Sequence, residues 1–335
     1  MRWWGCLAAS LVGVLAVVDC GGGQGDPEDP VGLPGRSPDA KGDGGVTDAS
    51  VNPAFPSGGD ATTPVNGDRE CDPNKPFGAP VLLFDPAMRG ATPRLSADEL
   101  TIYFTADGAT TGTDLFRAVR TSRQATFGPA TAMTAQSSSA NDNDPAPSAD
   151  HLTLFFHSAR SGNAELYTAS RASLADDFGP ASLVPDVNDP AAADAHAYYR
   201  SAGGGELFFV SNRGGSATYR IHAAKRAGQG YAMPSLVAGL AGAWNDWQPM
   251  VTEDGLTMVF ASDRPGGKGG FDLWTTSRAS DGADWGEPVP IDELGSAAAE
   301  FAGWISADRC RLYFSSSRDT TNDAMQRLYV AARPF

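Results

Sequence analysis

The chain has 335 residues, 41% of them hydrophobic, with 39 glycines, 24 prolines and a formal net charge of −15 at neutral pH. That length can bury a large core, while the acidity excludes a nucleic-acid partner, because phosphate binding needs a basic face. Helical periodicity is absent beyond the first 20 residues, so the fold is expected to be all-β.

Residues 1–20 carry one positive charge, at Arg2, and a run of 12 apolar or small residues from Leu7 to Val18. Such a run is too short to span a bilayer and suits an export signal. It ends in Val17-Val18-Asp19-Cys20 followed by three glycines, which resembles a bacterial lipoprotein signal. The resemblance implies lipidation of Cys20 and, with Gly21 next, an outer-membrane address; plain secretion or an uncleaved anchor are the alternatives. Residues 21–70 are dominated by Gly, Pro, Asp, Ser and Thr. A segment of that composition buries too little apolar surface to offset its ordering entropy, so it is read as a disordered linker.

From Cys71 to Phe335 one unit recurs. Its clearest copy is Asp246 to Pro288, where Asp254-Gly255 separates two apolar runs as a hairpin turn does. The turn position falls at Asp98, Asp150, a degenerate Gly203-Gly204-Gly205, Asp254 and Asp308, in steps of 52, 54, 50 and 54 residues through Gly204. An arginine follows the second strand at Arg160, Arg213, Arg264 and Arg318. The third strand reads Asp114-Leu115-Phe116, Glu165-Leu166-Tyr167, Tyr219-Arg220-Ile221, Asp272-Leu273-Trp274 and Arg327-Leu328-Tyr329. Fourth strands open at Phe77, Phe127, Phe178, Tyr231 and Trp285. A period near 50 residues holding four strands marks β-propeller blades.

Pro93, Pro145 and Pro249 in the first strand, Ser96-Ala97-Asp98, Ser148-Ala149-Asp150 and Ser306-Ala307-Asp308 at the turn, and the Ser-x-Arg and Asp-Leu-Trp segments resemble the WD40-like Pro-Asp β-propeller repeat of the TolB type. The turn glycine of that repeat is replaced here by Glu99, His151 and Arg309. The resemblance spans roughly residues 77–335. It implies a propeller and, more loosely, envelope protein partners. Five turns and five fourth-strand openers give five blades; six, the TolB number, is the alternative.

The strand after Phe77 has no partners ahead of it, and the last copy stops after three strands. The simplest closure therefore adds residues 79–85 to the last blade, leaving no open sheet edge. Cys6 and Cys20 belong to the signal, and the remaining Cys71 and Cys310 fall on either side of this joint. In an oxidising envelope they are expected to pair; two separate thiols are the alternative.

Acids before the first strand include Asp144, Asp194, Asp246 and Glu300. Two roles are open for them. They pair with Arg160, Arg213, Arg264 and Arg318 as repeat structure, or they form a rim that binds a ligand together with the less regular Trp244 and Trp247. The four histidines fall at unrelated repeat positions without ligand spacing, so neither a metal nor any cofactor is expected. No hydrolase elbow, zincin motif or phosphate-binding loop occurs. The expected function is thus a non-catalytic, monomeric outer-membrane lipoprotein whose propeller binds an envelope protein or cell-wall glycan, touching the membrane only through Cys20. The alternative is a secreted carbohydrate-active hydrolase with carboxylates in the channel. An enzyme should break the repeat symmetry with convergent carboxylates; a scaffold should keep them on the repeat arginines.

Overall fold

The computed structural model describes residues 71–108, 112–240, 242–320 and 326–335. The expected signal, Cys20 and the linker lie outside the described residues. The described chain forms five antiparallel sheets, each following the repeat. Blade 1 runs Ala91–Leu95, Thr101–Asp107, Thr113–Val119 and Thr131–Ala132, and blade 2 runs Asp142–Pro147, Thr153–Ser158, Glu165–Ser170 and Ser182–Leu183. Blade 3 runs Asp194–Arg200, Glu206–Ser211, Arg220–Ala227 and Ser235–Leu236, with a small hairpin strand Gly230–Tyr231 added to it. Blade 4 runs Asp246–Val251, Thr257–Ser262, Asp272–Ser277 and Val289–Pro290. Glu300–Ile305, Arg311–Ser316 and Arg327–Ala332 begin blade 5. The five first strands neighbour one another in cyclic order, so they line an axis. The fold is a five-bladed β-propeller.

Blade 5 takes its fourth strand from the start of the domain, as expected: Val81–Leu82 pairs antiparallel with Arg327–Ala332, Val81 opposite Val330. The Cys71–Cys310 disulfide lies beside this joint, its Cα atoms 5.6 Å apart. Phe77 is buried there, with the Arg333 guanidinium 3.8 Å above its ring, and its N–H donates to Glu293.

The Ser-x-Asp turn has a physical reason. The Asp150 carboxylate accepts from the Ser148 hydroxyl and the Leu152 N–H, and Asp98, Asp254 and Asp308 repeat the arrangement. The residue after the acid is left-handed whether or not it is glycine: φ is +73° at Gly255 but also +63° at Glu99, +57° at His151 and +61° at Arg309. Glu99 uses that exposed-looking position to enter the interior, where it takes Arg311 and the Tyr313 hydroxyl across the joint between blades 5 and 1. The core lies between blades, where both faces of each sheet are apolar; Phe260, Phe314 and Trp274 belong to one cluster, and Phe155 and Phe209 to another. The recurring aromatics Trp274, Trp285, Tyr167 and Phe178 are buried packing residues.

Candidate functional site

The repeat arginines hold the repeat carboxylates. Arg213 reaches Asp194 at 2.7 Å, Arg264 reaches Asp246 at 2.6 Å, and Arg318 reaches Glu300 at 3.3 Å. Arg160 takes Asp142 at 2.6 Å, not Asp144. Each arginine also donates Nε to the serine two residues before it, which explains the Ser-x-Arg pattern. Asp194, Asp246 and Glu300 are buried in these pairs. Burial raises the Asp246 carboxyl above its ordinary value despite Arg264. Trp244 and Trp247 are half-buried: Arg264 lies over Trp244, while Trp247 stacks on Phe271 and Phe301.

Asp144 has a different place, two residues further along the strand. Each first strand is bulged there, the pairing register shifting between Asn143 and Ala146 in blade 2 and at the matching point of every other blade. A bulge re-aims one side chain, and proline is tolerated at such a break in the ladder, which accounts for Pro93, Pro145 and Pro249. The aimed residues are Thr92, Asp144, His196 and Gln248, spaced 52 residues apart in sequence. All four have left-handed backbones, with φ of +53°, +56°, +54° and +51°. For non-glycine residues this costs on the order of 1 kcal/mol each, strain of the kind that gathers at working sites.

These side chains meet at the axis. Gln248 Nε2 donates to Thr92 Oγ1 at 2.9 Å, and that hydroxyl donates to Asp144 Oδ1. The other carboxylate oxygen faces His157 Nδ1 at 3.1 Å and the Nδ1 of His196. His157 comes from the second strand of blade 2. The two rings pack edge to face, 5.2 Å between centroids, and His196 stacks on Trp247. Asp144, His157 and His196 are at most 3% exposed. Burial lowers the His196 imidazole, only partly offset by Asp144. Burial pushes the Asp144 carboxyl up, but the two imidazoles outweigh it and hold it well below the usual carboxylate range. Three groups that could hold a metal ion thus converge here, although the histidines have no ligand spacing along the sequence. His196 occupies the position of Asp144 one period on, and His157 lies one strand out, so blade geometry joins residues that linear spacing separates.

Toward the turns, the channel widens into a cavity of about 210 Å³. It is lined by the residues two beyond the bulge positions: Arg94, Ala146, Tyr198, Met250 and Trp304, a different side chain in every blade. Arg94 donates to the carbonyls of Gly303 and Pro249 and lies over the Tyr198 ring at 5.1 Å. Burial brings its guanidinium down to about 10, and its Nε has no hydrogen-bond partner among the described residues. Glu253 and Asp254 are the carboxylates that line this cavity among the described residues.

No protein-family model matches the sequence, and no curated protein matches it. Solved structures do. The α-L-arabinofuranosidase PaAbf62A from Podospora anserina, in complex with cellotriose, superposes over 77% of this chain and 96% of its own, with a TM-score of 0.51 at 10% identity. The likeness is one of fold. A family 117 glycoside hydrolase from Zobellia galactanivorans covers 77% of this chain and 90% of its own (TM-score 0.49, 11% identity). A TolB from Agrobacterium tumefaciens covers 73% and 74% (TM-score 0.45, 14% identity). The expectation of a non-catalytic protein is corrected by the arabinofuranosidase, which carries hydrolysis on this architecture over nearly its whole length. Lack of a catalytic motif in the sequence is no ground for setting an enzyme aside. At such low identity no residue role transfers between the chains.

Proposed function

We propose that this protein is an exported carbohydrate-active hydrolase that holds a sugar in the turn-side cavity of the channel. The observation that carries the reading is the loss of repeat symmetry at that cavity. Asp194, Asp246 and Glu300 are neutralised by the repeat arginines, whereas Arg94, Tyr198, Met250 and Trp304 differ at one blade position and face a common space. Aromatic walls with a few fixed polar groups suit a sugar ring. Glycoside hydrolysis needs two carboxyl groups, and Glu253 and Asp254 are the cavity-lining carboxylates from which they would come. The Asp254 carboxyl feels a raising effect of burial, yet the Thr252 hydroxyl and the Leu256 N–H hold it below its ordinary value, which suits the ionised partner. The arabinofuranosidase neighbour supports the class of chemistry through the fold alone.

Export is supported by the Cys71–Cys310 bond, since disulfides persist in oxidising compartments. With Cys20 lipidated, the propeller would work on the envelope side of a membrane, and intact mass of the protein made in a Gram-negative host tests that address. The enzyme reading is tested with a panel of oligosaccharides. Wild-type protein should release sugar, and Glu253→Gln should lower turnover at least about a hundredfold, the scale of one positioned acid. Undiminished turnover in Glu253→Gln, or none with any glycan in the wild type, defeats it.

A further inference from the structure

We infer that Asp144, His157 and His196 form a binding site for one divalent transition-metal ion at the propeller axis, of the zinc type. The inference stands apart from the carbohydrate reading, because it uses only the buried cluster.

The ligating atoms of the three residues lie within 4.8 Å of one another. Two ligands held at about 2.0–2.2 Å from one ion sit roughly 3.0–3.5 Å apart, and His157 Nδ1 stands 3.1 Å from Asp144 Oδ2. Hydrogen bonding does not account for the convergence. Asp144 Oδ2 and His196 Nδ1 face each other closely, yet neither has a hydrogen-bond partner of acceptable alignment among the described residues. His157 Nδ1 receives the His196 backbone N–H at 3.4 Å, so it presents a lone pair there. That lone pair and the carboxylate oxygen are two acceptors in contact, an arrangement a cation between them would relieve. The Nε2 atoms of both rings are also buried without partners among the described residues, so neither ring holds a hydrogen bond there that a metal must break. Buried polar atoms left unpaired cost about 1–3 kcal/mol each, and several together at one point call for a missing partner.

The backbone agrees. Asp144 and His196 reach the axis only through left-handed bulges, and strain at two ligand positions persists where the surroundings over-determine it. Two imidazoles and one carboxylate select zinc or a neighbouring first-row ion; calcium and magnesium prefer all-oxygen sets. Three protein ligands leave one tetrahedral position for water, as in metal sites that do chemistry. Asp144 Oδ1 is held by Thr92, which Gln248 holds in turn, a chain that orients the carboxylate as supporting hydrogen bonds do at metal centres.

The test uses the full chain without a histidine tag, stripped with chelator and exchanged into metal-free buffer. Zn²⁺ is titrated by calorimetry and Co²⁺ by visible absorption. One ion per chain is expected, with cobalt bands of four- or five-coordinate intensity that zinc abolishes. His157→Asn and His196→Gln should each weaken binding by more than the roughly 10–100-fold that follows loss of a merely orienting group, while His151→Gln, at an unrelated turn, should bind as wild type. Near-UV circular dichroism identifies variants that remain folded. If neither histidine variant folds, X-ray absorption of the zinc-loaded wild type decides: two imidazoles and oxygen support the site, and an all-oxygen set overturns it. Absence of one-to-one binding in the folded wild type, or unaltered binding in folded His196→Gln, also overturns it.

Discussion

The joint between blades 5 and 1 is the place where stability is most open to a quantitative test. The Cys71–Cys310 bond links residues separated by 239 positions. In the chain-entropy model, closing an unfolded loop of that length contributes about 5 kcal/mol. Removing the bond deletes almost none of the folded contacts, because Val81–Leu82 still pairs with Arg327–Ala332 and Phe77 still lies under Arg333. The double variant Cys71→Ser/Cys310→Ser should therefore fold, yet unfold about 10–20 °C lower, at about 2–4 °C per kcal/mol for a domain of this size. Guanidinium unfolding followed by tryptophan fluorescence, on oxidised wild type, reduced wild type and the double variant, measures the difference. The reduced protein should track the variant. If the variant unfolds at the midpoint of the oxidised wild type, the bond contributes nothing and the entropic argument fails.

Arg264→Met should lower stability by about 3–5 kcal/mol, since it leaves the buried Asp246 carboxylate unpaired; Arg264→Met/Asp246→Leu should recover most of it in the same denaturation assay. Gly303→Ala should cost about 1–3 kcal/mol, because a β-carbon there would come within 2.5 Å of the Tyr313 carbonyl and 2.6 Å of the Pro93 carbonyl; an unchanged melting temperature would mean that blades 5 and 1 are less tightly packed. The Ser148 hydroxyl and the Leu152 N–H hold the Asp150 carboxyl below its ordinary value of 3.8. Its contribution is thus present above that pH and lost as pH falls through the folded value. Melting temperatures from pH 5 to 2 should show a shallower acid limb in Asp150→Asn, and identical limbs would exclude the turn carboxylate as a source of acid lability.

The repeat made the fold readable, because each blade states the same strand order and the same turn chemistry. Asp150 and its equivalents announce the hairpins, the Ser-x-Arg serine is there to receive Nε, and Phe77 without preceding strands announces the closing joint. The same regularity concealed the axial site. In the sequence Asp144 falls in with Asp194, Asp246 and Glu300 as an acid before the first strand, although Asp142 is the member that meets a repeat arginine. A two-residue offset separates a neutralised carboxylate from one aimed at the axis, and only the bulge reveals it. The 52-residue spacing of Thr92, Asp144, His196 and Gln248 was a usable signal. His157 was not, since it joins them from the adjacent strand. The turn-side cavity was equally hidden, because its lining residues share nothing but their place in the blade.

The borrowed strand Val81–Leu82 also orders events in time. Blades 1 to 4 close on partners within one repeat, whereas blade 5 must bring together strands from opposite ends of the domain. Loop closure makes such distant pairing slow, so four blades can assemble locally before the ring is complete. A chain still crossing a membrane would have its ring open, and the axial residues would stay reachable by solvent and ions until the last blade docks. Pulsed hydrogen exchange during refolding should find the amides of Val81–Leu82 and Arg327–Ala332 protected last. Early protection of that pair would mean that the seam nucleates the ring instead of finishing it.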